Sequence, residues 1–315
     1  MRNFAVWSVV FLTMAGIGFS KEPKQLPKEL TFDLGGVKLE MVFIPAGEFI
    51  MGSPDSDSAA FPWEKPQHRV RITKPFFMGK YLVTQEQWKS VMGNNPSQFK
   101  GLKNPVETVS WDDCQEFLVK LNGKFGTGRE EFQLPTEAQW EYACRAGSTT
   151  RYYFGNETLG LSEYAWYRGN SGWKTQPVGE NKPNAWGLYD THGNVWEWCS
   201  DWYDDRYNAG SPTDDPPGPS RGSDRVSRGG GWSDAALDCR SAFRYGHQPD
   251  HRGGNLGFRV ARVSVEQTSG RGNTHEEIAS GDSGMLGRSG CWTLPSHCSQ
   301  SGRDSLCCPQ SCDNP

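Results

Sequence analysis

The 315-residue sequence has no basic block. No run of Lys or Arg exceeds two residues, 33 basic side chains face 37 acidic ones, and the net charge is −4, with an isoelectric point near 5.9. Nucleic acid and anionic membrane therefore find no electrostatic footprint. Long apolar runs are scarce too. The one extended run, Phe4 to Phe19, falls short of the ~20 residues a membrane-spanning helix needs. No internal repeat of about 20–50 residues is visible, which excludes propellers and solenoids. Walker, dinucleotide and nucleophile-elbow patterns are missing as well. What is plentiful is glycine, 37 residues, and aromatic rings, 13 Trp, 16 Phe and 10 Tyr. A mean hydropathy of −0.69 is low, yet so many rings do not occur in a disordered chain. The composition predicts a folded, loop-rich body pinned by large side chains.

The first twenty residues carry one early charge, Arg2, then the apolar run, then Gly18-Phe19-Ser20. Small residues thus occupy the −3 and −1 positions of a signal-peptidase site. The pattern predicts a cleaved secretory signal over residues 1–20 and an extracytoplasmic mature protein, secreted or periplasmic. A Pro/Lys linker follows over 21–29, then a body over 30–263. Residues 264–315 form a Ser/Gly/Cys-rich tail too poor in apolar residues to build a core, read as disordered. Of nine cysteines, four lie in the body (Cys114, Cys144, Cys199, Cys239) and five in the tail. In an oxidising compartment most should pair. The four body cysteines admit three pairings, and the spacing leaves the choice open.

Alternation between turn residues predicts strands over Leu30–Phe32, Val37–Ile44, Glu48–Met51, His68–Thr73 and Phe76–Tyr81. Three helices are expected. Thr84 caps Gln85–Met92, Ser110 starts a second with Trp111, Cys114, Phe117, Leu118 and Leu121 on one face, and Thr136 opens a third. From Gly147 to Arg262 helical periodicity fades, and tryptophans recur among turns. Trp166, Trp173, Trp186, Trp196, Trp198, Trp202 and Trp232 read either as core or as the lining of a peptide or glycan groove. His247 and His251 stand at the i, i+4 spacing of a zinc pair, but in a Gly/Pro-rich stretch where no helix would align them.

Five strings are more specific. Gln133-Leu134-Pro135-Thr136-Glu137-Ala138-Gln139-Trp140-Glu141-Tyr142-Ala143 comes first. Gly187-Leu188-Tyr189-Asp190, Gly193-Asn194-Val195-Trp196-Glu197-Trp198, Arg228-Gly229-Gly230 and Asn255-Leu256-Gly257-Phe258-Arg259 follow in order. Together they resemble the formylglycine-generating enzyme, or sulfatase-modifying factor, family. The resemblance spans Leu30 to Arg262. It implies a single α+β domain of low regular secondary structure, distantly like C-type lectins.

Family members oxidise a cysteine in a Cys-x-Pro-x-Arg segment of a sulfatase, using O2 and copper(I) held by two thiols. Soft sulfur suits Cu(I). Counting forward from Arg228, Cys239 falls on the second catalytic cysteine, while Asp234 replaces the first. Counting back from Asn255, a three-residue length difference moves Cys239 off either position. By resemblance, Cys239 would engage the substrate thiol and Trp196 would wall the O2 site. Arg240 and Arg244 could lower the thiol's pKa, and the competing reading makes Cys239 a disulfide partner of Cys144 or Cys199. The resemblance also implies a structural Ca2+ held by Asp190, Gly193, Val195 and Glu197, two carboxylates and two carbonyls, a hard-oxygen set. Two functions stand open: an oxidoreductase acting on sulfatase-like polypeptides, or a non-catalytic peptide- or carbohydrate-binding module on the same fold.

Overall fold

The structure, a computed structural model, describes residues 27–265. The expected secretory signal and nearly all of the Cys-rich tail lie outside the described residues. Among those described, no helix is long and apolar enough to cross a membrane.

The first strands arise where apolar alternation meets turn residues. Strands β1 (Glu29–Asp33), β2 (Lys38–Ile44), β3 (Gly47–Met51), β4 (His68–Ile72) and β5 (Phe76–Gly79) fall on the expected segments. Three helices follow, α1 (Gln85–Met92), α2 (Trp111–Phe125) and α3 (Glu137–Arg145), with β6 (Glu130–Gln133) between the last two. Each helix begins with a reciprocal capping box. Thr84, Ser110 and Thr136 accept from the backbone N–H three residues on, and the side chains of Gln87, Asp113 and Gln139 return the bond. On α2 the buried face is Cys114, Phe117, Leu118 and Leu121, with Trp111 half-buried.

The stretch without helical periodicity holds five more strands: β7 (Trp196–Trp202), β8 (Arg225–Arg228), β9 (Arg244–His247), β10 (Leu256–Phe258) and β11 (Ala261–Ser264). One antiparallel sheet runs β1-β2-β5-β11-β6, so the last strand lies between β5 and β6. A second runs β10-β7-β8-β9, with β10 and β7 parallel and the other pairs antiparallel. β3 and β4 form a separate hairpin.

The largest apolar cluster joins α1, α2 and the first sheet to Trp196, Trp198 and Phe258. A second surrounds α3, which is buried on nearly all sides. Five arginines are buried with it or beside it, and each meets a buried glutamate. Arg240 forks onto Glu64 at 2.6 and 2.7 Å, Arg244 onto Glu137 at 2.6 Å twice, and Arg259 onto Glu197 at 3.0 Å twice. Arg145 and Arg228 share Glu141. A loop-rich chain is thus tied internally by charge-assisted forks as well as by rings.

The expected body disulfides are not there. Cys114, Cys144, Cys199 and Cys239 are all buried and unpaired. Cys114 packs in the α2 cluster, Cys144 and Cys199 around α3, and Cys239 in a small third cluster with Tyr152, Leu161 and Ala165. Each behaves as a small apolar side chain.

Candidate functional site

The turn Arg228–Gly231 leaves β8 through two left-handed glycines, Gly229 (φ +94°) and Gly230 (φ +71°). A Cβ on Gly230 would lie 2.8 Å from the Cys239 Sγ, so only glycine lets the chain pass the sulfur. The next turn places Asp234. Its Oδ2 accepts from the Trp196 indole N–H at 2.8 Å and from the Gly231 N–H at 2.9 Å. Burial raises the Asp234 pKa, partly countered by these two donors.

Cys239 is fully buried. Burial, then the carboxylates of Asp234 and Asp238, push its thiol well above the ordinary range. Arg240 and Arg244 do not lower it, because their guanidiniums are spent on Glu64 and Glu137. The thiol therefore lacks both requirements of a reactive cysteine, access and a depressed pKa. Copper(I) would need a pair of soft donors. Cys239 and Asp234 instead offer one sealed thiol and one carboxylate already bonded twice. The residues present do not fit that ion.

Asp190 and Glu197 flank a second turn. Asp190 (φ +55°), Gly193 (φ +79°) and Asn194 (φ +63°) are all left-handed, a region Asp and Asn tolerate better than most residues. A Cβ on Gly193 would stand 2.2 Å from the Trp166 carbonyl oxygen. The Asp190 Oδ2 accepts from the Gly179 N–H at 2.7 Å, while its Oδ1 is buried without a partner. Burial raises its pKa to about 6, against the pull of the Gly179 N–H and Arg259. Glu197, on β7, carries the Arg259 fork, leaving lone pairs on both oxygens. An orphaned buried carboxylate oxygen beside a second carboxylate is a donor set a hard cation fits.

His247 lies at the end of β9 and stacks on His251, centroids 4.9 Å apart and planes 12° apart. Burial, and then the His251 charge, lower its pKa to about 4. Among the described residues no group of three His, Cys, Asp or Glu side chains is placed to hold a metal.

The histidines instead end a strip of rings that pattern reading missed. Phe61, 40% exposed, stacks on Trp63 at 4.6 Å and meets Phe243 edge-on at 5.6 Å. Phe243 touches Trp196 at 5.7 Å, Trp196 touches Tyr245 at 6.1 Å, and Tyr245 meets His247 at 4.9 Å. Tyr245 is 49% exposed. Alongside opens a cleft of about 570 Å³ lined by Trp63, Tyr203, Tyr245, Asp204, Asp205 and Asp224 among others. The arrangement offers aromatic surface with an acidic rim, suited to gripping a ligand. Its members come from four separated segments, so no local signal marks them. Of the tryptophans read either way, Trp196 and Trp198 are core, Trp166, Trp186, Trp202 and Trp232 are half-buried, and Trp173 is exposed.

An α+β domain with few helices, a diglycine turn after β8 and a left-handed Asp-to-Asn turn before β7 defines the formylglycine-generating-enzyme type of fold. Residues 35–264 match the sulfatase-modifying factor enzyme 1-like domain, and the chain belongs to that family. It is 32% identical to the formylglycine-generating enzyme of Streptomyces coelicolor, over 73% of this chain and 90% of that protein. It is 30% identical to chaperone protein LppX of Paenibacillus barcinonensis, over 59% and 80%. Among solved structures, Treponema denticola variable protein 1 aligns with a TM-score of 0.68 at 34% identity, over 75% of this chain and 99% of that one. PvdO from Pseudomonas aeruginosa aligns at 0.67 and 32%, over 76% and 100%.

Proposed function

We propose that this chain is a non-oxidising member of its family, an extracytoplasmic binding module that holds a polypeptide segment along the aromatic strip and acidic cleft. The observation that carries the reading is the state of the two positions that the count from Arg228 assigns to the family's oxidation. One holds a sealed thiol, the other a carboxylate engaged by Trp196. The surrounding surface keeps exposed rings and three aspartates, which favour a segment with apolar and basic side chains. Kinship with a protein named a chaperone supports holding over oxidising. A sulfatase-like polypeptide with a Cys-x-Pro-x-Arg segment is the ligand the family relation suggests, its arginine meeting Asp204, Asp205 and Asp224.

Calcium belongs to the same proposal. The Asp190 and Glu197 side chains, with the Gly193 and Val195 carbonyls, would hold it, and the ion would supply charge compensation that stiffens the turn before β7.

The test incubates the protein with a Cys-x-Pro-x-Arg peptide, copper(I), reductant and O2, and traps aldehyde with a hydrazide. The expected result is no aldehyde, with peptide binding that Tyr245→Ala weakens about tenfold, ~1.4 kcal/mol. Aldehyde that disappears in Cys239→Ser overturns the reading in favour of an oxidase. A peptide that does not bind the native protein removes the assigned ligand.

A further inference from the structure

Trp173 is 62% exposed, and no other tryptophan among the described residues is exposed. Its backbone is left-handed, φ +62°, a conformation unfavourable for so large a side chain. The loop is held there from below. The Trp173 N–H donates to the Ser171 Oγ at 3.2 Å, whose hydroxyl donates to the Trp232 carbonyl at 2.8 Å. Gln176 donates its side-chain amide to the Ser171 carbonyl at 2.6 Å and exchanges two backbone bonds with the side chain of Asn194. Ser171 and Asn194 are buried. The fold thus keeps an indole in water and in an uncomfortable conformation, at a point fixed by buried hydrogen bonds.

That indole is part of a platform. Its ring meets Trp232 edge-on at 6.4 Å, and Trp232 meets Phe99 edge-on at 5.2 Å. Beside them lies a cleft of about 370 Å³ lined by Phe99, Lys100, Asn104, Lys174, Thr175, Gln176 and Pro177, within the ~300–1,000 Å³ range of small-molecule sites. Two ammonium groups line it and no carboxylate does, on a chain whose net charge is negative. The remaining polar groups are two amides, whose N–H groups are held by Thr175 and Ser171 and whose oxygens can accept from sugar hydroxyls, and the Thr175 hydroxyl. Neither guanidinium forks for phosphates nor a strand edge for a peptide backbone is present in this lining.

We propose that this cleft, with Trp173 standing outside its wall next to Lys174, binds an anionic saccharide. Trp173 stacks on the C–H face of a pyranose ring, and Lys100 and Lys174 take its carboxylate or sulfate. The site is separate from the aromatic strip and stands whether or not that strip holds a polypeptide.

The full chain is titrated by tryptophan fluorescence and calorimetry with four probes at equal ionic strength. A hyaluronan tetrasaccharide carries carboxylates alone, and a 6-O-sulfated galactose tetrasaccharide carries sulfates alone. Cellotetraose is neutral, and a glutamate decapeptide represents acidic protein. Binding of one charged saccharide, at least tenfold tighter than of cellotetraose or the decapeptide, is expected, and which one identifies the anion. Lys174→Gln should weaken it severalfold and flatten its salt dependence. Trp173→Gly should abolish binding while raising the melting temperature, because glycine accepts the left-handed backbone. Undiminished binding by Trp173→Gly overturns the proposal. So does equal or tighter binding of cellotetraose or the decapeptide, or binding of none of the four.

Discussion

Asp201 illustrates how a single buried group sets a pH response. Its Oδ2 accepts from the Glu137 N–H at 3.0 Å and the Ser200 hydroxyl at 2.9 Å. Burial, and then the Glu137 charge, raise its pKa to about 7. The folded state therefore keeps this proton to higher pH than the unfolded chain does. The stabilisation is complete below about pH 4 and is lost as pH climbs to about 7, by on the order of 4 kcal/mol. Asp201→Asn removes that titration, so the variant should gain on the native protein between pH 4.5 and pH 8 in urea unfolding. An equal difference at both pH values would sink the assignment. At Asp190 the expectation concerns calcium. Millimolar Ca2+ should raise the native melting temperature by several degrees, as ligand binding to the folded state requires, and leave Asp190→Ala unmoved. A native protein indifferent to both calcium and chelator removes the ion from the site.

At the scale of elements, α3 sets two kinds of anchorage against each other. Its cap, Thr136, is worth about 1 kcal/mol. Arg244→Met would instead remove the two-pronged partner of the buried Glu137 carboxylate and leave it only the Arg228 guanidinium at 3.3 Å, a loss of about 3 kcal/mol. Urea midpoints of Thr136→Ala and Arg244→Met should fall in that order, and the reverse order would mean that the cap, not the ion pairs, holds α3. The caps were legible in the sequence, as were the first five strands, because both signals are local. β7 was not. Its residues Trp196–Cys199 are buried consecutively, so the alternation that marks a half-exposed strand is missing. The forks onto Glu64 and Glu137 were also invisible, since Arg240 and Glu64 are 176 residues apart and Arg244 and Glu137 are 107 apart. The five strings placed Asp190, Trp196 and Glu197 in a family frame, and Cys239 only by counting on from Arg228. Whether a thiol is open or sealed depends on Tyr152, Leu161 and Ala165 around it, which no motif encodes.

For the whole molecule, the order β1-β2-β5-β11-β6 makes the first sheet depend on both ends of the body. Removing the residues after Asn255 deletes β10 and β11, parts β5 from β6, and leaves Glu197 without Arg259. Such a truncation should show no cooperative melting transition by circular dichroism. A sharp transition near the native temperature would mean the earlier strands fold as an independent unit. The same strand order has a meaning for biosynthesis. A chain made from its N-terminus cannot complete its first sheet until residue 264 has cleared the ribosome. Were such a chain passed through a narrow pore, this order would keep β6 without its neighbour until β11 had been delivered.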